Sequence, residues 1–337
     1  MTTTTRIVLA SRPKGEPTPE NFRTETAEIG PVDNGDVLLQ TLYLSLDPYM
    51  RGRMNDAKSY ADPVEIGQPM VGGTVSRVVE SAHPNLAEGD IVLGYGGWQT
   101  YSIEPGKSLV GLDGFPAPLP AALGVLGMPG FTAYAGLLTI GQPKPAETVV
   151  VAAATGPVGS AVGQIAKIKG ARAVGIAGGE KKVEALRELG FDAAIDHRAP
   201  DFDEQLAAAT PDGIDVYFEN VGGKVWEAVL ARMNEFGRVP VCGLVSGYNA
   251  TSLPEGPNRV PQLMGLVLQR SLTLRGFIQR EFVDQLPQFR AEMGKWVADG
   301  QVKYHEDVVD GLDSAVPAFI GMLRGDNFGK VVVKVAD

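Results

Sequence analysis

From residue 147 onward the chain alternates uniformly apolar runs with amphipathic ones. Residues 149–153, Val-Val-Val-Ala-Ala, are apolar at every position, as a strand covered on both faces must be. An amphipathic stretch follows, ending near Gly170, and a second apolar run occupies 173–177. The alternation continues with a helix over 181–189 and strands over 191–196, 214–218, 237–242 and 272–277. Two longer helical patterns cover 260–269 and 282–298, and a last helix over 314–323 precedes an apolar strand over 330–335, which returns the chain to its first part. Strand and helix in regular alternation predict an α/β fold, a doubly wound parallel sheet with helices on both faces.

The first third reads differently. Residues 37–46 form a strand whose second half alternates, and 72–80 form another; Glu88-Gly89-Asp90 turns into 91–95, and Gly96-Gly97 opens a strand over 98–103. Short strands divided by glycine turns predict a β-rich, partly closed barrel. From about Pro118 the pattern becomes helical, with 121–126 and 132–138 flanking Gly127-Met128-Pro129-Gly130.

At 337 residues the chain holds one large or two ordinary domains. No run approaches a membrane span, and the start, Met1-Thr-Thr-Thr-Thr-Arg6, lacks the apolar core of a signal peptide, so a cytoplasmic protein with no membrane partner is expected. The net charge of -10 argues against a general nucleic-acid surface. A single cysteine, Cys242, excludes an internal disulfide framework. With only His83, His197 and His305 besides it, scattered along the chain, no zinc or other metal site is expected.

The chemistry begins at Ala154-Thr155-Gly156-Pro157-Val158-Gly159, which turns the first parallel strand into its helix. Gly156 lets backbone approach a pyrophosphate, Gly159 lets helix pack close on strand, and the helix amino terminus offers N–H groups to the phosphate charge. This is a dinucleotide-binding unit. At the end of the second strand a carboxylate would hold the ribose of NAD; here stand Gly178 and Gly179, then Glu180, Lys181 and Lys182. Two adjacent lysines at a helix start are as a rule a solvated surface pair, but in this register they lie within reach of a 2′-phosphate, which points to NADP(H). Glu180 keeps NAD open, because a one-residue register change puts it on the ribose.

Several stretches, in order along nearly the whole chain, resemble the zinc-free branch of the medium-chain dehydrogenase/reductase superfamily that contains prostaglandin reductases and alkenal double-bond reductases. They are Leu46-Asp47-Pro48-Tyr49-Met50-Arg51-Gly52-Arg53, Met128-Pro129-Gly130-Phe131-Thr132-Ala133-Tyr134, the glycine turn, Glu219-Asn220-Val221-Gly222-Gly223, the run from Val241 to Asn249, Gly276-Phe277-Ile278 and Asn327-Phe328-Gly329-Lys330. The resemblance implies a GroES-like catalytic domain of residues 1–127 and 311–337 and a Rossmann-type NADP-binding domain of residues 128–310. Zinc-dependent relatives carry a cysteine near Asp47-Pro48-Tyr49 and a histidine near Pro69-Met70, and this chain has neither.

Carried over by position, the family's cofactor contacts fall on Gly156, Pro157, Val158 and Gly159 for the pyrophosphate, and on Gly178 and Lys182 at the adenosine end. They fall further on Asn220, on the backbone from Cys242 to Tyr248 (Cys242, Gly243, Leu244, Ser246), on the backbone of Gly276, Phe277 and Ile278, and on Asn327. Met128 and Thr132 face the carboxamide. His197 stands where prostaglandin reductases usually have a tyrosine near the adenosine phosphate; it is expected as a pH-dependent contact, against the plainer reading of a surface loop histidine.

The implied reaction is NADPH-dependent reduction of the carbon–carbon double bond of an α,β-unsaturated ketone or aldehyde, bulky conjugated diketones included. Without zinc, hydroxyls must stabilise the enolate oxygen, and Tyr248 is the first candidate, with Tyr49 and Tyr60 as partners. Each is also readable as a half-buried wall residue. A quinone reductase with the same cofactor site, and an NADPH-binding sensor without turnover, remain alternatives. The family also implies a homodimer through the sheet edge near 272–276.

Overall fold

In the computed structural model, which describes residues 2–337, the chain divides into two units: one reaching Leu123 and resuming at Glu306, the other spanning Gly124–His305. The expected boundaries, after 127 and before 311, each lie a few residues further along. The second differs because residues 306–310 form a strand of the first unit.

In the first unit, β1 (Thr3–Leu9) pairs antiparallel with β2 (Phe22–Glu28). The sequence pattern does not mark either strand, because threonine and charged residues on their open faces mask the alternation. Next come β3 (Asp36–Ser45), the short helix α1 (Tyr49–Arg53), β4 (Thr74–Ser81), β5 (Ile91–Gly94), β6 (Tyr101–Pro105) and β7 (Val110–Gly111). Strand β3 pairs with β4 and β6, β4 with β5, and β5 with β7, all antiparallel. Phe22, Trp98 and Phe319 stack or meet edge to face in the core of this unit.

The second unit opens with α2 (Met128–Ala135), started by proline in its first turn. There follow β8 (Thr148–Ala152), α3 (Pro157–Ile168), β9 (Arg172–Ala177), α4 (Glu180–Glu188), β10 (Ala193–Asp196), α5 (Phe202–Ala209), β11 (Ile214–Phe218), α6 (Gly223–Leu230), β12 (Met233–Val241), α7 (Val260–Gln269), β13 (Thr273–Gly276) and α8 (Leu286–Ala298). Among the described residues the strands form a six-stranded sheet, all parallel, in the order β10-β9-β8-β11-β12-β13. The order reverses between β8 and β11. In open sheets of this kind the crevice at the carboxyl ends of those strands is where ligands bind.

The predicted elements of this sheet recur within a few residues, with two informative exceptions. Strand β12 starts at Met233 rather than 237, and Phe236 interrupts its pairing with a left-handed φ of 60°. The helix expected over 282–298 is a tight turn over Gln279–Gln285 followed by α8, because Phe282 leaves helical geometry and Pro287 restarts the helix.

The chain then returns to the first unit through β14 (Glu306–Asp310), α9 (Ala315–Arg324) and β15 (Lys330–Lys334). Strand β15 pairs antiparallel with β3, placing Val332 opposite Ser45, and runs parallel with β14. The fold class is therefore the expected one, a doubly wound parallel sheet plus a separate, mainly antiparallel sheet.

Candidate functional site

The glycine turn is built as a phosphate cradle. Ala153 leaves β8 with a left-handed φ of 50°, and its carbonyl accepts the Gly156 N–H at 3.0 Å. Helix α3 then starts at Pro157 with Gly156 as a cap that brings no side chain, so no side chain caps the first-turn N–H groups of Val158 and Gly159. A Cβ on Gly159 would stand 2.7 Å from the Ala154 Cα, so only glycine permits this packing. Gly156, Pro157, Val158 and Gly159 thus lie together on the turn, and the cradle fits a dinucleotide pyrophosphate.

At the adenosine end, β9 closes on Gly178 and Gly179, and α4 begins with Glu180 and Lys181, both exposed, and the half-buried Lys182. Asp196 ties the ends of β9 and β10 together: its Oδ1 accepts the N–H groups of Gly179 at 2.9 Å and Arg198 at 2.8 Å. Over Gly178 lie two basic side chains, with His197 Nε2 and Arg198 Nε each 2.8 Å from the point a Cβ would occupy. His197 is open to solvent on one side, yet burial of its ring, then the charges of Arg198 and Lys182, hold its pKa below the ordinary value, with Asp196 opposing. Arg198 is absent from the residues expected on sequence grounds. Its only signal is adjacency to His197 after a parallel strand.

At the carboxyl edge of the sheet, the side chain of Asn220 donates to the Ala152 carbonyl at 2.9 Å and so joins the ends of β11 and β8 at the switch point. The buried Glu219 organises the turn beside it, its Oε1 accepting from Val221 N at 2.6 Å, Gly222 N at 2.8 Å and the Tyr217 hydroxyl at 3.0 Å. The Glu219 carbonyl accepts from the N–H groups of Cys242 and Gly243. Ser246 fastens the following loop, donating its hydroxyl to the Val221 carbonyl at 2.6 Å, while Leu244 is half-exposed on it. Burial, reinforced by the Glu219 charge, pushes the Cys242 thiol up to about 12, so Cys242 contributes backbone and packing rather than a nucleophile.

Tyr248 closes this loop. Its hydroxyl lies 3.2 Å from the position a Gly243 Cβ would take, which brings a phenol onto the bare backbone at the sheet edge. Beside it, β13 ends at Gly276. The Phe277 ring is buried against Phe218 and Phe282, and the Ile278 N–H is taken by Glu281 at 2.7 Å, so the Phe277 side chain and the Ile278 N–H are already engaged. On α2, Thr132 donates its hydroxyl to the Met128 carbonyl at 2.8 Å, leaving an acceptor of the kind a carboxamide NH₂ requires.

The first unit carries the remaining expected residues. Asn327 donates to the Gly329 carbonyl at 2.9 Å in the turn before β15. Tyr49 opens α1 just beyond Asp47, and the Arg53 guanidinium sits 4.4 Å from the Tyr60 ring centre and 5.8 Å from that of Tyr49. Tyr49 also hydrogen-bonds Tyr95, which sequence reasoning passed over; its signal is the glycine setting Gly94-Tyr95-Gly96-Gly97. Burial and the Asp47 charge hold the Tyr49 pKa far above the ordinary phenol value, so its proton stays in place. Beneath this group Asp47 is buried in an ion pair with Lys330 Nζ at 2.7 Å and accepts from Ser45. Among the described residues no group of three or more His, Cys, Asp or Glu side chains is placed to hold a metal ion.

A parallel sheet in dinucleotide-binding order, its phosphate cradle and a phenol at its carboxyl edge define a nucleotide-dependent oxidoreductase. A family model described as an N-terminal domain of oxidoreductase matches residues 5–112, and one described as a zinc-binding dehydrogenase matches residues 157–295. The chain is 59% identical over 333 residues to the NADPH-dependent curcumin reductase of Escherichia coli (strain K12), spanning 98% of this chain and 96% of that one. It is 43% identical to prostaglandin reductase 1 of Rattus norvegicus, over 95% of this chain and 96% of the relative. The solved structure of CurA in complex with NADPH from Vibrio vulnificus superposes with a TM-score of 0.96 at 54% identity, covering 99% of both chains. The protein belongs to the medium-chain dehydrogenase/reductase superfamily, in the zinc-free branch of curcumin and prostaglandin reductases.

Proposed function

We propose that this protein reduces the carbon–carbon double bond of α,β-unsaturated ketones and aldehydes at the expense of NADPH. The observation that carries the reading is the Tyr248 hydroxyl resting over Gly243 at the carboxyl edge of the sheet, a hydrogen-bond donor at the end of a nucleotide cradle. The likeness to curcumin and prostaglandin reductases over almost the full chain supports it.

When bound, NADPH supplies the hydride that reaches the β-carbon of the enone. The first-turn N–H groups of α3 hold the pyrophosphate, Lys182 and His197 the adenosine phosphate, and Asn220, the loop from Cys242 to Ser246, the stretch Gly276–Ile278 and Asn327 the rest of the cofactor. Thr132 and Met128 orient the carboxamide. Tyr248 donates a hydrogen bond to the substrate oxygen, where negative charge grows as the double bond is reduced. Tyr49, kept protonated by burial and by Asp47, is the second donor, with Tyr60 beside Arg53. Water or a phenol then returns a proton to the α-carbon.

The test is NADPH consumption with a panel of enones, enals and quinones. Turnover on enones with a saturated ketone as product is expected, and turnover on quinones alone would overturn the reading. In the same assay Lys182→Ala should raise KM for NADPH about tenfold or more while leaving that for NADH nearly unchanged, the loss of one charge-assisted phosphate contact.

The reading includes a homodimer and a cytoplasmic setting; the single cysteine supports the latter. For the former, β13 is an edge strand of the parallel sheet. Next to it in sequence, α7 presents Val260, Met264 and Leu268 at four-residue spacing, 58%, 59% and 82% exposed. An open strand edge and an apolar helix stripe are what a second copy would cover. Sedimentation should give a dimer for the native chain and a monomer for Leu268→Glu; a native monomer would contradict this.

A further inference from the structure

Two basic side chains converge on one glycine at the ends of β9 and β10. Arg198 Nε and His197 Nε2 each approach within 2.8 Å of the Cβ position of Gly178, and Arg198 Cζ within 3.1 Å. Lys182 acts on the same imidazole from α4, and Asp196 from its own loop. Asp196 offsets part of this charge, while its Oδ1 is directed at the backbone N–H groups of Gly179 and Arg198. Arg198 forms no ion pair among the described residues. Two basic side chains therefore lie above a residue with no side chain, Lys182 adds its charge from α4, and no ion pair holds the guanidinium among the described residues. Such a setting suits a compact dianion, and a guanidinium presents two parallel N–H donors to phosphate oxygens.

We propose that Arg198 is a specificity-determining residue that grips the adenosine 2′-phosphate of NADPH at every pH, and that His197 beside it supplies a second grip that strengthens on acidification. This rests on the NADPH reading given above. In the free protein, burial and the charges of Arg198 and Lys182 keep the imidazole neutral near pH 7, with Asp196 only partly offsetting them. A phosphate dianion reverses the sign of that field, so its arrival raises the imidazole pKa and a proton passes from solvent to His197. Binding that takes up a proton tightens as pH falls. NADH has no 2′-phosphate and gains nothing. Below about pH 6 the phosphate itself takes up a proton, so the gain is confined to a window from about pH 8 down to 6.5.

The experiment is direct titration of the full-length protein with NADPH and with NADH at about pH 8 and about pH 6.5, for the native chain, Arg198→Gln, Arg198→Lys and His197→Gln. Arg198→Gln should weaken NADPH about tenfold or more at both pH values and leave NADH within about twofold, and Arg198→Lys should recover part of the loss, since charge returns without the fork. The native preference for NADPH over NADH should rise about threefold or more on acidification, and His197→Gln should flatten that rise. Equal weakening of both cofactors by Arg198→Gln, or no weakening, overturns the role of Arg198. A flat native preference, or an unchanged rise in His197→Gln, overturns the role of His197. A native chain that binds NADPH no better than NADH removes the cofactor reading itself, an outcome distinct from both.

Discussion

A phenol donates a hydrogen bond to an enolate oxygen only while it carries its proton, and the phenols of this protein are held in two ways. Tyr49 is half-buried and feels the Asp47 charge, so ionisation is disfavoured. Tyr248 is half-buried on a loop fastened by Ser246 to the Val221 carbonyl, and its hydroxyl lies over the bare Gly243. Replacing Tyr248 by Phe keeps the ring and removes the donor, so kcat should fall about ten- to a thousandfold, in the range of other oxyanion donors, while the NADPH dissociation constant changes less than about twofold. Stopped-flow turnover and cofactor titration on the same preparation separate the two. The placing of Gly156 and Gly159 on one turn was legible in the sequence because it follows from spacing within one strand–turn–helix unit. Arg198 and Tyr95 were not, because each acquires its neighbours only when separate loops are brought together: Arg198 over Gly178, Tyr95 against Tyr49.

At the scale of elements, the last strand is tied to the turn after β3 by a buried ion pair. Lys330 at the start of β15 is fully buried, its ammonium donating to the Leu46 carbonyl at 2.6 Å and to Asp47 at 2.7 Å. Burial lowers its pKa and Asp47 opposes the shift. Lys330→Met would leave the Asp47 carboxylate buried without its cation, at a cost of about 3–5 kcal/mol, read as a lower urea midpoint. Removing both charges, in Asp47→Leu with Lys330→Met, should recover most of that stability; no recovery would place the loss elsewhere. Sequence reading found β15 from its apolar run but not this pair, since nothing local links positions 47 and 330. It also passed over β1 and β2, where polar open faces hide the period, and it ran α8 through the break at Phe282, which leaves helical geometry with its ring against Phe277.

At the scale of the whole molecule, the chain passes back into the first unit at Glu306, which opens β14 opposite Lys330. Its Oε1 is buried without a hydrogen-bond partner, and burial pushes its carboxyl up to about 7. A folded-state pKa above the unfolded value means that the contribution to stability is fully present below about pH 4.5 and is lost as pH rises through about 7. Glu306→Gln should therefore melt above the native protein at pH 8 and converge with it near pH 5; parallel melting curves across that range would contradict the assignment. The change from short strands to strand–helix alternation lies near the first division between the units, and the second was expected a few residues late because β14 is short and half-polar. The reaction is a hydride transfer to an enone, so the most direct measurement follows the hydride. Turnover of a conjugated enone with NADPH carrying deuterium at the transferable position of C4 should give a saturated ketone with deuterium on the β-carbon and the carbonyl intact. An allylic alcohol bearing deuterium on the carbonyl carbon, or no transfer at all, would contradict the account.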